Sequence, residues 1–123
     1  ALQTAMPRVS RSLDAQTPPA LPGPALQRLR QVMAAEARVE RDGAGLLRLI
    51  AVIDQLEARY GAAPALVAAR FVAAGAIARV ESRGGHFRSD HPQTGPVGVP
   101  TRMRLEDARA ASAPVRQAAE MAE

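Results

Sequence analysis

The sequence predicts an all-α domain: an up-down-up three-helix bundle with an extended N-terminal linker and a loop-rich C-terminal tail. Three observations carry this expectation. Alanine, which loses no side-chain entropy on entering a helix, supplies 27 of the 123 residues. Three stretches place apolar residues at helical spacing, with proline, aspartate or glycine at their boundaries. The links between them are short, about three to five residues, which sets consecutive helices antiparallel.

Residues 1–23 read as a linker, because Thr17-Pro18-Pro19-Ala20-Leu21-Pro22-Gly23-Pro24 removes backbone donors and favours extended backbone. Ahead of the prolines, Leu2, Met6, Val9 and Leu13 recur at helical spacing and mark a short amphipathic helix. The bundle is expected over 24–92. Its first helix starts at Pro24, presents Leu26, Leu29, Val32 and Met33, and runs to near Arg38 or Val39. The second follows Asp42, a good N-cap, and carries Leu46, Leu47, Leu49, Ile50, Ile53 and Leu56 to a stop at Tyr60-Gly61. The third opens at Pro64 and is expected to continue to about Arg83, where Gly84-Gly85 ends it. Val67, Phe71, Ala74, Ile77 and Ala78 form its expected inward stripe. Ala68, Ala69, Ala73, Gly75 and Ala76 give it a second face of small residues. Leu29, Met33, Leu46, Ile50, Ile53, Val67, Phe71 and Ile77 should converge in the core. Residues 93–123 read as loop and weakly helical tail, with proline and glycine recurring from Pro92 to Pro100. Leu105–Ala111 and Val115–Met121 are the weakly amphipathic parts of that tail.

Composition narrows the function. The absence of cysteine removes disulfides, thiolate metal sites and cysteine nucleophiles. All 16 basic residues are arginine, and the pI of about 11.2 suggests nucleic acid until the charges are placed. They are scattered along the chain, whereas a nucleic-acid surface needs cations gathered together. No nucleic-acid partner is expected. The most apolar window, Ala65–Val80, is interrupted by Arg70 and Arg79 and is shorter than the roughly twenty residues of a membrane span. With no apolar signal core either, the expectation is a cytoplasmic protein without membrane contact. Ala1 in place of an initiator methionine suggests a piece of a longer chain.

The polar interest concentrates in residues 79–92. Ser82, His86 and Asp90 supply the residue types of an acyl-transfer triad, but a helix exit through two glycines offers no oxyanion hole. His86, Asp90 and His91 fit no defined metal-ligand spacing. Gly84-Gly85 lies at the wrong helix end for a phosphate cradle. The residues alone describe a contact surface, with no catalytic, cofactor or metal site.

The segment Arg79-x-Glu81-Ser82-Arg83-Gly84-Gly85-His86-Phe87-Arg88-Ser89-Asp90-His91-Pro92 resembles the R-x-E-S-R-G-x-H-[YF]-R-x-D-[YF]-P signature of one flavoprotein family. That family contains L-aspartate oxidase and the flavoprotein subunits of succinate dehydrogenase and fumarate reductase. Upstream, Leu26-Gln27-Arg28-Leu29-Arg30-Gln31-Val32-Met33 is similar to the family's first bundle helix. Arg41-Asp42-Gly43 followed by Gly45-Leu46 resembles its R-D-G-x-G-L turn into the second. The resemblance covers about residues 24–92, and its signature lies in the family's C-terminal helical domain. Two positions depart from the pattern: His91 replaces Tyr or Phe, and Pro64 replaces the start of an Arg-Asn pair.

The resemblance implies a supporting domain of an FAD enzyme. The L-aspartate oxidase branch is favoured, because Gln93-Thr94-Gly95-Pro96 replaces the R-D-D-x-x-W stretch of the other subunits. Such a parent oxidises L-aspartate to iminoaspartate, passes electrons to oxygen or fumarate, and feeds quinolinate and de novo NAD synthesis. No Gly-x-Gly-x-x-Gly occurs in this chain, so FAD is expected in the parent and not here. The implied partners are the parent's flavin and capping domains, with quinolinate synthase downstream. Arg83, Gly84, His86 and Arg88 are the expected flavin-domain contacts. A competing reading leaves Arg83 as a cap on the helix C-terminus. The alternatives for the whole chain are a succinate dehydrogenase or fumarate reductase subunit, or an autonomous helical adaptor.

Overall fold

A proline in the first turn starts helix α1 without loss, because its missing N–H would have had no partner there. In the computed structural model, which describes residues 19–111, α1 spans Gly23–Glu36 and buries Ala25 and Leu29. Asp42 then caps helix α2 (Gly43–Tyr60), its carboxylate accepting from the Gly45 amide at 2.6 Å. Gly61 closes α2 at φ +83°, a conformation that costs other residues strain, and its amide donates to Glu57 O. Helix α3 (Pro64–Ala78) follows after two more residues. The three helices pack pairwise around Leu29, Leu49, Ile50, Ile53, Leu56 and Leu66. A fourth short helix, α4 (Leu105–Ala111), lies on α3 and buries Ala108 completely. The chain is all-α in character, and the helix starts at Pro24, after Asp42 and at Pro64 agree with the sequence expectation.

Two expectations about α3 are corrected. It buries Leu66, Ala69, Arg70, Ala73, Ala74 and Ala76, so of the expected inward stripe only Ala74 is fully buried, while Ala69, Ala73 and Ala76 of the small-residue face turn into the bundle and Ala68 stays exposed. Val67, Phe71 and Ile77 are only half-buried, as is Met33 of α1. The cause is Arg70, which is 1% exposed and donates to Asp54 at 2.6 Å and Glu57 at 2.8 Å on α2. Satisfying that buried cation fixes the rotation of α3, and the alanines make room for the large side chains of α2. The helix also stops at Ala78 rather than near Arg83. Arg79 leaves helical geometry, and carbonyls at the helix end are taken up by a side chain from the following loop, described below.

The sequence expectation contained no strand, yet Glu40–Arg41 (β1) and Phe87–Arg88 (β2) pair in parallel, Glu40 with Phe87 and Arg41 with Arg88. This small pairing positions the site. The expected helix over Leu2–Leu13, most of the proline-rich linker and the Val115–Met121 stretch lie outside the described residues. Among those described, no helix is long and apolar enough to cross a membrane.

Candidate functional site

The chain leaves α3 and folds back at once through a two-residue turn. Arg83 and His86 exchange backbone hydrogen bonds of 2.8 and 3.0 Å around Gly84-Gly85. Gly84 takes φ +58° at the first central position, as a primed hairpin turn requires. Beneath the turn, the buried Ser82 hydroxyl accepts from the Arg88 amide at 2.9 Å and donates to the His91 carbonyl at 2.8 Å. Ser82 also ties in the next segment, its carbonyl accepting from the Thr94 hydroxyl and its amide donating to Gln93 O. The hydroxyl is thus a structural hub.

Arg88 is 5% exposed and works in two directions. Its Nε and Nη2 donate as a fork to Asp90, at 3.0 and 2.7 Å. Its Nη1 reaches the carbonyl end of α3, 2.9 Å from Ile77 O and 3.4 Å from Arg79 O. A cation there meets the negative end of the helix dipole and satisfies carbonyls that have no intrahelical donor. The helix cap that the competing reading gave to Arg83 is supplied by Arg88. The Arg88 fork, joined by the Gly43 amide at 3.0 Å, holds the Asp90 carboxyl down at about 2.

That amide links the loop to the start of α2. A Cβ at Gly43 would lie 2.8 Å from Asp90 Oδ2 and 2.9 Å from Arg88 Nη2, so only glycine fits without displacing the pair. The Ser89 amide donates to Arg41 O at 2.7 Å. Arg41 itself donates through Nη1 to His86 Nδ1 at 3.1 Å, while His86 Nε2 lies 3.0 Å from Arg79 O. Guanidinium only donates and carbonyl only accepts, so a neutral imidazole with its hydrogen on Nε2 satisfies both. Two of the three stretches that carry the family resemblance, 41–46 and 79–92, therefore fold as one unit.

Glu81 is the second ionic hub. It accepts from Arg79 at 3.1 Å, from Arg83 at 3.3 Å and from the Gly95 amide at 2.8 Å. The Gly95 amide, then Arg83, holds its carboxyl below the usual range. Arg83 continues to Gly95 O at 2.6 Å, and Arg79 reaches Val99 O and Thr101 Oγ1.

Of the four residues expected to contact a flavin domain, Gly84 is exposed, Arg83 and His86 are half-buried, and Arg88 is buried. Sequence reasoning missed Arg41, Ser82, Asp90 and Gly43 as members of this unit. Arg41-Asp42-Gly43 is visible as a helix entry, but no local rule pairs it with a loop more than forty residues on. No acyl-transfer triad forms, since Ser82, His86 and Asp90 each bond elsewhere. Among the described residues no group of three or more potential ligands could hold a metal.

The residues do not fit FAD either. A dinucleotide's pyrophosphate needs free amides at a helix N-terminus. At the N-terminus of α2, which follows a strand and carries two glycines in its first turn, the Gly43 and Gly45 amides are already bound by the carboxylates of Asp90 and Asp42. A Cβ at Gly45 would strike a third carboxylate, Glu36.

A family model described as the fumarate reductase flavoprotein C-terminus matches residues 61–113. An L-aspartate oxidase of Caulobacter vibrioides is 53% identical over 88 residues, which are 72% of this chain and 17% of that protein. An L-aspartate oxidase of Rhodospirillum rubrum is 44% identical over 96 residues, 74% of this chain and 34% of that protein. The chain thus spans about a sixth and a third of the lengths of these curated relatives. No solved structure matches it. By its signature, its fold and these similarities, the chain belongs to the succinate dehydrogenase and fumarate reductase flavoprotein family and carries that family's C-terminal helical domain.

Proposed function

We propose that this chain is the C-terminal helical domain of an FAD-dependent L-aspartate oxidase, with a structural, interdomain role and no chemistry of its own. The parent converts L-aspartate to iminoaspartate, which enters quinolinate and NAD synthesis, with quinolinate synthase as the downstream partner and the cytoplasm as the compartment. FAD, held by the rest of the parent, supplies the hydride acceptor. The observation that carries the reading is the unit at the exit of α3. Its polar side chains are spent on bracing one another, and it stands in a chain that is 53% identical to an L-aspartate oxidase over 88 residues. Gly84, Arg83 and His86 belong to the face offered to the flavin domain, and Arg88 acts from beneath by holding that face in shape. The test is turnover by the full-length enzyme. Peroxide formed from L-aspartate, without oxidation of succinate, is expected. The family model's description favours the second reading, a fumarate reductase or succinate dehydrogenase subunit, and succinate–fumarate interconversion without aspartate turnover would establish it.

A further inference from the structure

Arg41, Arg79, Arg83 and Arg88 gather at the exit of α3, and among the described residues their carboxylate partners are Glu81 and Asp90 alone. Two positive charges remain in excess. Arg41 is the unbalanced member, since its partners are Arg38 O at 2.9 Å and His86 Nδ1 at 3.1 Å, neither of them charged. The neighbouring Asp42 carboxylate is engaged by the Gly45 amide. Arg41, Arg79, His86 and Thr101 line a shallow cleft of about 370 Å³ together with Val72, Gly75 and Ala76. Arg79 and Thr101 also border the adjoining hollow, walled by Val80, Val97 and Val99, which are 60%, 70% and 65% exposed.

We propose that this cleft seats a carboxylate side chain from the remainder of the parent polypeptide, and that the same contact covers the three valines. The inference rests on the reading of this chain as a C-terminal domain. A half-buried guanidinium without a counter-ion favours a carboxylate, which it can bind as a fork. A free small acid would balance the charge but leave the valines in water, whereas a protein surface covers both. A second copy of this chain is disfavoured, because its net charge of +4 opposes docking on a positive face. The relatives supply the occupant's source, since most of their length lies outside the matched region.

The absence of lysine makes the test direct. In the full-length enzyme, Arg41→Lys gives this region its sole ε-amine, and zero-length carbodiimide coupling joins an amine only to a carboxylate it touches. Thr101→Lys, on the exposed lip of the same cleft, provides a second amine without disturbing the Arg41–His86 bond. Both variants are expected to cross-link to an Asp or Glu outside residues 1–123, while Arg30→Lys, on an exposed position of α1, does not. Cross-links confined to residues 1–123, in the same or a second copy, or no cross-link in either variant, would overturn the inference. Aspartate-dependent peroxide is measured on the same samples. Activity without the cross-link defeats this inference alone, whereas flavin-free, inactive protein defeats the underlying reading.

Discussion

The guanidinium of Arg88 meets five oxygen atoms, two on Asp90 and three on the carbonyls of Ala76, Ile77 and Arg79. Removing it leaves the end of α3 without a cap and Asp90 without its partner. Arg88→Ala should cost about 3 kcal/mol in urea unfolding, the low end for breaking a buried pair because Asp90 is partly exposed. Arg88→Lys should recover less than half of that, since an ammonium keeps the charge but not the fork. Asp90 also gives the chain an acid limb. Its carboxyl titrates at about 2 when folded against an ordinary value of 3.8, so its contribution is complete above about pH 5. As pH falls from there towards 2, the unfolded chain takes up the proton first and the contribution is lost. Melting temperature should drop through that window, and Asp90→Asn should flatten the drop while lowering the plateau. Little of this was legible beforehand. Arg88, His86 and Gly84 stood out as a contact surface, but the partners that define their roles come from residues 41–43 and 76–79. Those are long-range pairings, and residue spacing does not encode them.

At the level of elements, the helix starts and the end of α2 were legible, whereas the end of α3 and its rotation were not. Pro24, Asp42, Gly61 and Pro64 act through local backbone chemistry, so their effect can be read one turn at a time. The inward face of α3 depends instead on which stripe outcompetes the other. A volume argument selects Phe71, but the buried Arg70 and the carboxylates of Asp54 and Glu57 turn the helix by about one residue, roughly 100°. Burial alone would raise the Glu57 carboxyl, yet donation from Arg109 and Arg70 keeps it below its ordinary range. Arg109 thereby fastens α4 to the same ion cluster. Chemical denaturation separates the two phases. Arg70→Ala should cost about 3 kcal/mol, because it takes a buried guanidinium from Asp54 and leaves Glu57 with Arg109 only. Phe71→Ala should cost only about 1 kcal/mol, well short of a core aromatic, while Ile53→Ala should cost at least about 2 kcal/mol. Equal losses at Arg70 and Phe71 would contradict the observed rotation.

For the molecule taken together, the all-α class followed from what the sequence contains, and the supporting role proposed above rests on the resemblance that it carries. The charge distribution did not, because arginines that are scattered along the chain gather in space at the exit of α3. The contacts among α1, α2 and α3 join sequential helices, so folding should be fast and need no flavin domain as a template. In the proposed role this domain braces an enzyme and does no chemistry. The decisive experiment titrates the purified 123-residue chain with free FAD while recording flavin fluorescence. A helical protein, no saturable quenching and no peroxide on adding L-aspartate are expected, since the amides at the start of α2 are held by carboxylates. Stoichiometric quenching at micromolar FAD, accompanied by aspartate-dependent peroxide, would refute that role.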